Sequence, residues 1–138
     1  MRKKRQAGFT LIELLVVLTI LAMLAALVVP RVFRNLEKAK VNTAKAQIAA
    51  LESAIGAYRL DVGSFPTTDQ GLQALRLRPS GVDNWDGPYL PKDVPLDPWG
   101  HPYVYRCPSD HGDYEIISYG ADGREGGDGP DQDIVSWK

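Results

Sequence analysis

The stretch FTLIELLVVLTILAMLAALVV, residues 9–29, decides how this chain reads: 21 residues carry one charge, Glu13. As a helix it is about 31 Å long at about 1.5 Å per residue, which matches a bilayer hydrocarbon core of about 30 Å. Ahead of it, MRKKRQAG holds Arg2, Lys3, Lys4 and Arg5, so a net charge of −1 divides into +4 on this leader and −5 on the remainder. The positive-inside rule keeps such a leader cytoplasmic and sends the rest of the chain across the membrane. A purely soluble protein is excluded. A cleaved secretory signal would need a small-residue site just after a shorter apolar core, and the nearest Ala-x-Ala triplet, Ala44-Lys45-Ala46, lies well downstream among charges. A plain membrane anchor accounts for the hydropathy but not for the abrupt Gly8-Phe9 border or for Glu13.

A carboxylate inside a membrane helix costs about 2.5–3.5 kcal/mol at the centre and usually has a partner or a function. Glu13 sits near the helix start, where the dipole and snorkelling lower that cost, so a tolerated interfacial carboxylate is one reading. The other is a partnered charge. A cut after Gly8 would leave Phe9 with a free ammonium four residues before Glu13, on one helix face, and the pair could close within a chain or between neighbours.

Beyond the apolar run, Val41, Ala44, Ile48, Leu51, Ile55 and Tyr58 recur at spacings of 3, 4, 3, 4 and 3, with Glu37, Lys38, Lys45 and Glu52 off the stripe. This is the pattern of a helix packing one face on its own domain. It is too short for a coiled-coil seam. Pro30 is expected to kink or loosen the helix between its two halves. Thr67-Thr68-Asp69-Gln70 reads as a capping box opening a short second helix through about Leu77. Residues 82–102, with five prolines and two glycines, read as a loop anchored by Trp85, Tyr89 and Trp99. Alternation over 103–107 and again over 113–118, across a turn with Pro108 and Gly112, predicts a hairpin. The expected fold is α+β: a long N-terminal helix on a small antiparallel sheet, with the short helix between them.

The chemistry of a catalyst is missing from this pattern. No serine stands in a G-x-S-x-G context, and no glycine-rich phosphate loop joins a strand to a helix. His101, between Gly100 and Pro102, reads as a packing or hydrogen-bonding residue, and Cys107 as a small core residue. A lone cysteine rules out an internal disulfide, and two histidines offer little to zinc. With the basic cluster confined to the leader, nucleic acid is not an expected partner.

The string Gly8-Phe9-Thr10-Leu11-Ile12-Glu13-Leu14, behind a basic leader and ahead of an apolar run, resembles the class III signal of type IV pilins and pseudopilins. The resemblance implies cleavage between Gly8 and Phe9 by a prepilin peptidase, N-methylation of Phe9, and a requirement for Glu13 in subunit addition. Pro30 matches the proline that follows the apolar segment in these proteins. Further runs are similar to the major pseudopilins of type II secretion: Tyr58-Arg59-Leu60-Asp61, Phe65-Pro66-Thr67-Thr68-Asp69-Gln70-Gly71-Leu72-Gln73-Ala74-Leu75, Leu96-Asp97-Pro98-Trp99-Gly100-His101-Pro102-Tyr103 and Ser118-Tyr119-Gly120-Ala121-Asp122-Gly123. Nearly the whole chain is covered. Three parts are implied: a cleaved leader (1–8), a transmembrane and filament-core helix (9–30), and a periplasmic domain (31–138). The implied function is a structural subunit that polymerises into a periplasmic filament and drives exoprotein export. Its partners would be other copies of the chain, minor pseudopilins, the prepilin peptidase, the inner-membrane assembly platform and, before assembly, membrane lipid. A disulfide-free major type IV pilin for adhesion or motility is the alternative, and a monomeric membrane-anchored binding module a third reading.

Residues 119–133 hold five acidic side chains and five glycines against one base, Arg124. Composition alone describes a solvated acidic loop, and the spacing is not that of an EF-hand. The resemblance implies one structural calcium ion here, held by the side chains of Asp122 and Asp133 with main-chain oxygens of Tyr119 and Arg124 added. Asp128 and Asp131 are further candidates. A C-terminal metal-binding loop is therefore part of the expectation.

Overall fold

The computed structural model describes Lys4 and residues 7–138. The other leader residues, Met1, Arg2, Lys3, Arg5 and Gln6, lie outside the described residues, so of the leader reading only its end can be placed. The chain divides into two compact units, Met1–Glu37 and Lys38–Lys138. One helix, α1 (Leu11–Val62), supplies most of the first and the N-terminal element of the second.

In the first unit, Thr10 is the residue that starts α1. Its Oγ1 accepts a hydrogen bond from the Glu13 backbone N–H at 3.2 Å, satisfying one of the free donors of the first turn. The Thr19 hydroxyl donates to the Leu15 carbonyl at 2.8 Å, so this polar group within the apolar run needs no outside partner. The helix continues through Pro30, which has no N–H to offer the preceding turn. Every described residue ahead of Glu37 is exposed, and α1 is long and apolar enough there to cross a membrane.

In the second unit, α1 buries Ala44, Ile48, Leu51, Ala54, Ile55 and Tyr58, the stripe expected from the sequence with Ala54 added and Val41 at its margin. The stripe shares one core with Leu72, Leu75, Tyr103, Tyr105, Ile116 and Ile134, each large aliphatic side chain contributing about 1.5–3 kcal/mol when fully buried. The sheet comprises β1 (Val104–Arg106), β2 (Glu115–Ser118) and β3 (Ile134–Val135), antiparallel in the order β1-β2-β3. The β1–β2 hairpin is the predicted one. All four residues of β2 are buried.

The second helix differs from expectation. The capping box forms: the Thr67 N–H donates to Gln70 Oε1 at 2.9 Å and the Gln70 N–H to Thr67 Oγ1 at 3.2 Å. The turn it opens goes no further, because Gly71 adopts φ 61°, a left-handed value incompatible with α-helix. The chain continues instead as one short 3-10 helix, Leu72–Leu75, that seats Leu72, Ala74 and Leu75 in the core. The Trp85 indole N–H donates to the Ala74 carbonyl at 2.7 Å. Tyr89 meets Trp85 edge-on at 5.7 Å and Tyr58 at 5.6 Å, and its hydroxyl donates to Asp61. Aromatic side chains thus hold the proline-rich loop, as its composition suggested. Burial pushes the Tyr103 and Tyr105 hydroxyls above the ordinary tyrosine range, so both stay protonated as donors, Tyr103 to Gln47 and Tyr105 to the Pro66 carbonyl.

The hairpin turn is fastened by one carboxylate. The Glu115 side chain is only 5% exposed and accepts from Arg106 Nη1 at 3.0 Å, Ser109 Oγ at 2.7 Å and His111 Nδ1 at 2.9 Å. The His111 ring in turn stacks on Trp137 at 3.7 Å between centroids. Burial alone would raise the Glu115 pKa, but the hydrogen bonds from His111, Ser109 and Arg106 outweigh it and hold the group below the ordinary 4.5. A carboxylate with a depressed pKa stabilises the fold fully above its unfolded value, and that contribution is lost as pH falls through the lower folded value. Glu115→Gln should therefore cost about 1–3 kcal/mol near neutral pH. It should also flatten the acid limb of stability below 4.5, read as thermal unfolding of the full chain in detergent across a pH series.

Candidate functional site

Residues 119–133 connect β2 to β3 and fold back on themselves. The Ala121 N–H donates to the Pro130 carbonyl at 3.0 Å, and the returning segment passes directly over Gly120. A Cβ at Gly120 would lie 2.9 Å from the carbonyl oxygens of both Pro130 and Gln132, and its φ of 69° is left-handed. No other residue type fits there without strain. A short 3-10 helix, Gly129–Asp131, makes the reversal.

Within this loop the two leading ligand candidates are each fixed by a backbone donor. Asp122 Oδ1 accepts from the Arg124 N–H at 3.1 Å, and Asp133 Oδ2 accepts from the Gly126 N–H at 2.9 Å. The second Asp133 oxygen, Oδ1, is buried and has no hydrogen-bond partner. A buried carboxylate oxygen left unsatisfied costs free energy, and a hard cation is one way to satisfy it. Asp128 precedes the 3-10 helix and Asp131 is its last residue. Among the described residues no three His, Cys, Asp or Glu side chains come together as a metal-holding group, so carboxylates alone do not form a shell. Main-chain oxygens such as those of Tyr119 and Arg124 would have to complete one.

The loop is entered over a platform absent from the residue set expected on sequence grounds. Asp97, 4% exposed, accepts at Oδ1 from the Trp99 and His101 N–H groups at 3.1 and 2.8 Å. At Oδ2 it accepts from the fully buried Ser118 hydroxyl at 2.7 Å. His101 Nδ1 lies 3.1 Å from the Gly120 carbonyl, which can only accept, so this nitrogen carries the proton. The local signal for this turn was present in Asp97-Pro98-Trp99-Gly100, where an aspartate accepts from N–H groups ahead of it. Its link to Ser118, 21 residues away, had no local signal.

At the N-terminus the structure places Gly8 and Phe9 ahead of α1 and Glu13 in its first turn. The sequence reading set Phe9 and Glu13 on one helix face once the chain is cut after Gly8; in the uncut chain α1 begins at Leu11 and Phe9 precedes it. Thr10, a cap absent from the sequence expectations, was legible as the first residue of a Thr-x-x-Glu capping signal. Pro30 lies within α1.

Comparison with known proteins gives matches over both parts of the chain. The profile of the family described as type II secretion system (T2SS), protein G, matches residues 31–137, and that of the prokaryotic N-terminal methylation motif matches residues 3–29. The type II secretion system core protein G of Pseudomonas aeruginosa is 46% identical, over 99% of this chain and 99% of its own length. The protein of the same name from Vibrio cholerae is 45% identical over 99% and 94%. Among solved structures, the major pseudopilin from the type 2 secretion system of enterohaemorrhagic Escherichia coli aligns with a TM-score of 0.65 at 37% identity, covering 75% of this chain and 90% of that one. With a methylation-type N-terminus, one membrane-length helix and this sheet and loop, the chain belongs to the type II secretion system protein G family.

Proposed function

We propose that the chain is the structural subunit of a type II secretion pseudopilus, polymerising by helix-on-helix packing so that filament growth drives exoproteins across the outer membrane. The observation that carries this reading is the first unit. An apolar helical stretch exposed on all sides in its own chain needs lipid before assembly and neighbouring copies after it. On this reading the precursor crosses the inner membrane once, leader cytoplasmic and second unit periplasmic. Prepilin peptidase cuts between Gly8 and Phe9, Phe9 is N-methylated, and the subunit then engages the inner-membrane assembly platform and the minor pseudopilins. The role is structural and includes no catalytic step. The cut frees the Phe9 ammonium to reach the Glu13 of a neighbouring copy.

Two measurements test this. Mass spectrometry of membrane-extracted protein should give a chain beginning at N-methylated Phe9; an intact Met1 overturns the processing. Glu13→Ala should still insert, since it removes a charge from the bilayer. It should lose filaments in electron micrographs, because the Phe9 ammonium would be buried unpaired. Normal filaments from that variant would refute the ion pair.

The acidic loop is read as the seat of one structural calcium ion, held by Asp122 and Asp133 with main-chain oxygens of Tyr119 and Arg124, and with Asp128 and Asp131 nearby. Support comes from the unpartnered Asp133 oxygen and from the oxygen chemistry that calcium prefers. The ion would offset repulsion among carboxylates and lock the loop against β3. Calcium should raise the melting temperature of the full chain in detergent, magnesium should do so weakly, and Asp122→Ala should remove the gain. An unchanged melting temperature between chelator and millimolar calcium would leave the segment a solvated acidic loop.

A further inference from the structure

We infer that His101 is a positioning residue for the cation shell of the acidic loop, holding the segment 120–123 in its ligand-presenting conformation without touching the ion. The inference rests on the calcium reading above. Its physical basis is a chain of contacts from a buried anchor. Asp97 is fixed on both sides: Oδ2 by Ser118 at the end of β2, and Oδ1 by the Trp99 and His101 backbone N–H groups. The Asp97 N–H donates back to the His101 carbonyl at 2.8 Å. His101 therefore has its main chain clamped at both polar groups, and its ring is presented from a rigid base.

The ring grips the loop at two points. Nδ1–H donates to the Gly120 carbonyl at 3.1 Å, which sets the peptide plane between Gly120 and Ala121. The opposite edge lies on Gly123, where a Cβ would come within 3.1 Å of both Cε1 and Nε2. Gly120 and Gly123 bracket Ala121 and Asp122, and both take left-handed φ values, 69° and 65°. Two glycines in four residues leave a segment with much conformational freedom to lose. His101 removes that freedom before any ion arrives, as groups that orient metal ligands do. The return of the loop is held by contacts that do not involve His101, namely Ala121 to Pro130 and Gly126 to Asp133. The fold of the loop should thus survive loss of the ring while its ligand geometry loosens.

The test uses the full chain in detergent micelles, titrated with calcium chloride by calorimetry and melted in chelator. His101→Ala should weaken calcium binding by about tenfold, with the chelator melting temperature only slightly below wild type because one hydrogen bond to Gly120 is lost. His101→Leu keeps bulk against Gly123 but has no donor, and should show the same loss. His101→Asn places an amide N–H near the position of Nδ1 and should restore most of the affinity, which a merely space-filling role would not predict. Wild-type affinity in both His101→Ala and His101→Leu overturns the inference alone. So does a loss that asparagine fails to restore, or one matched by a large fall in the chelator melting temperature. Absence of calcium binding in wild type overturns the calcium reading and the inference together.

Discussion

Apolar helical surface must be covered, and α1 carries two kinds of it. In the second unit the exposed alternative is removed by a stripe of six residues that packs into one core with the sheet and the 3-10 helix. In the first unit the apolar residues run around the whole helix, and nothing in the described chain covers them. The hydrophobic effect sets both arrangements. One surface makes a domain, and the other is left uncovered by the described residues.

Once the stripe is buried, the remaining problem is polar. β2 is buried along its length, and its two polar ends, Glu115 and Ser118, could not remain there unpartnered. Each end is answered by a separate network. Glu115 gathers Arg106, Ser109 and His111 around the hairpin turn. Ser118 donates to Asp97, which organises the turn over residues 97–101. The two networks fix opposite ends of one strand, so the connection from β2 to β3 leaves from a rigid point. Tyr103 and Tyr105 add two more buried donors with defined acceptors, and the core is specified by direction as well as by volume.

Much of this was legible in residue order because periodicity reports burial. The 3-4 spacing from Val41 to Tyr58 and the alternation around Tyr105 are both consequences of one buried face, whereas β2 is buried on both faces. Elements too short to show a period were lost. β3 has only Ile134 and Val135, and its strand character comes from pairing with Ile117 and Ser118. The capping box at Thr67 is present as its residues suggest, but the helix expected after it is cut short by Gly71, a stop signal within the same run. In the acidic loop, composition exposed the carboxylates and glycines. It could not show that Asp133 has one oxygen paired and one unpaired, since that depends on where the loop returns. The Asp97–Ser118 and His111–Trp137 contacts join residues far apart in the chain and have no local signature.

The start of α1 has a consequence for symmetry. Thr10 ends the helix on its N-terminal side, so Phe9 stands outside it and Glu13 inside the first turn. On the proposed reading each subunit then offers one cation and one anion from different places on its surface. Because the two groups come from different places, the contact can run head to tail, each copy giving its cation to the next copy's anion. Repeated from copy to copy, it generates an open array with direction. Such an array has two chemically distinct ends: one exposes an unanswered ammonium and the other an unanswered carboxylate. On that reading the two ends of the filament differ, and the machinery that extends it can tell them apart.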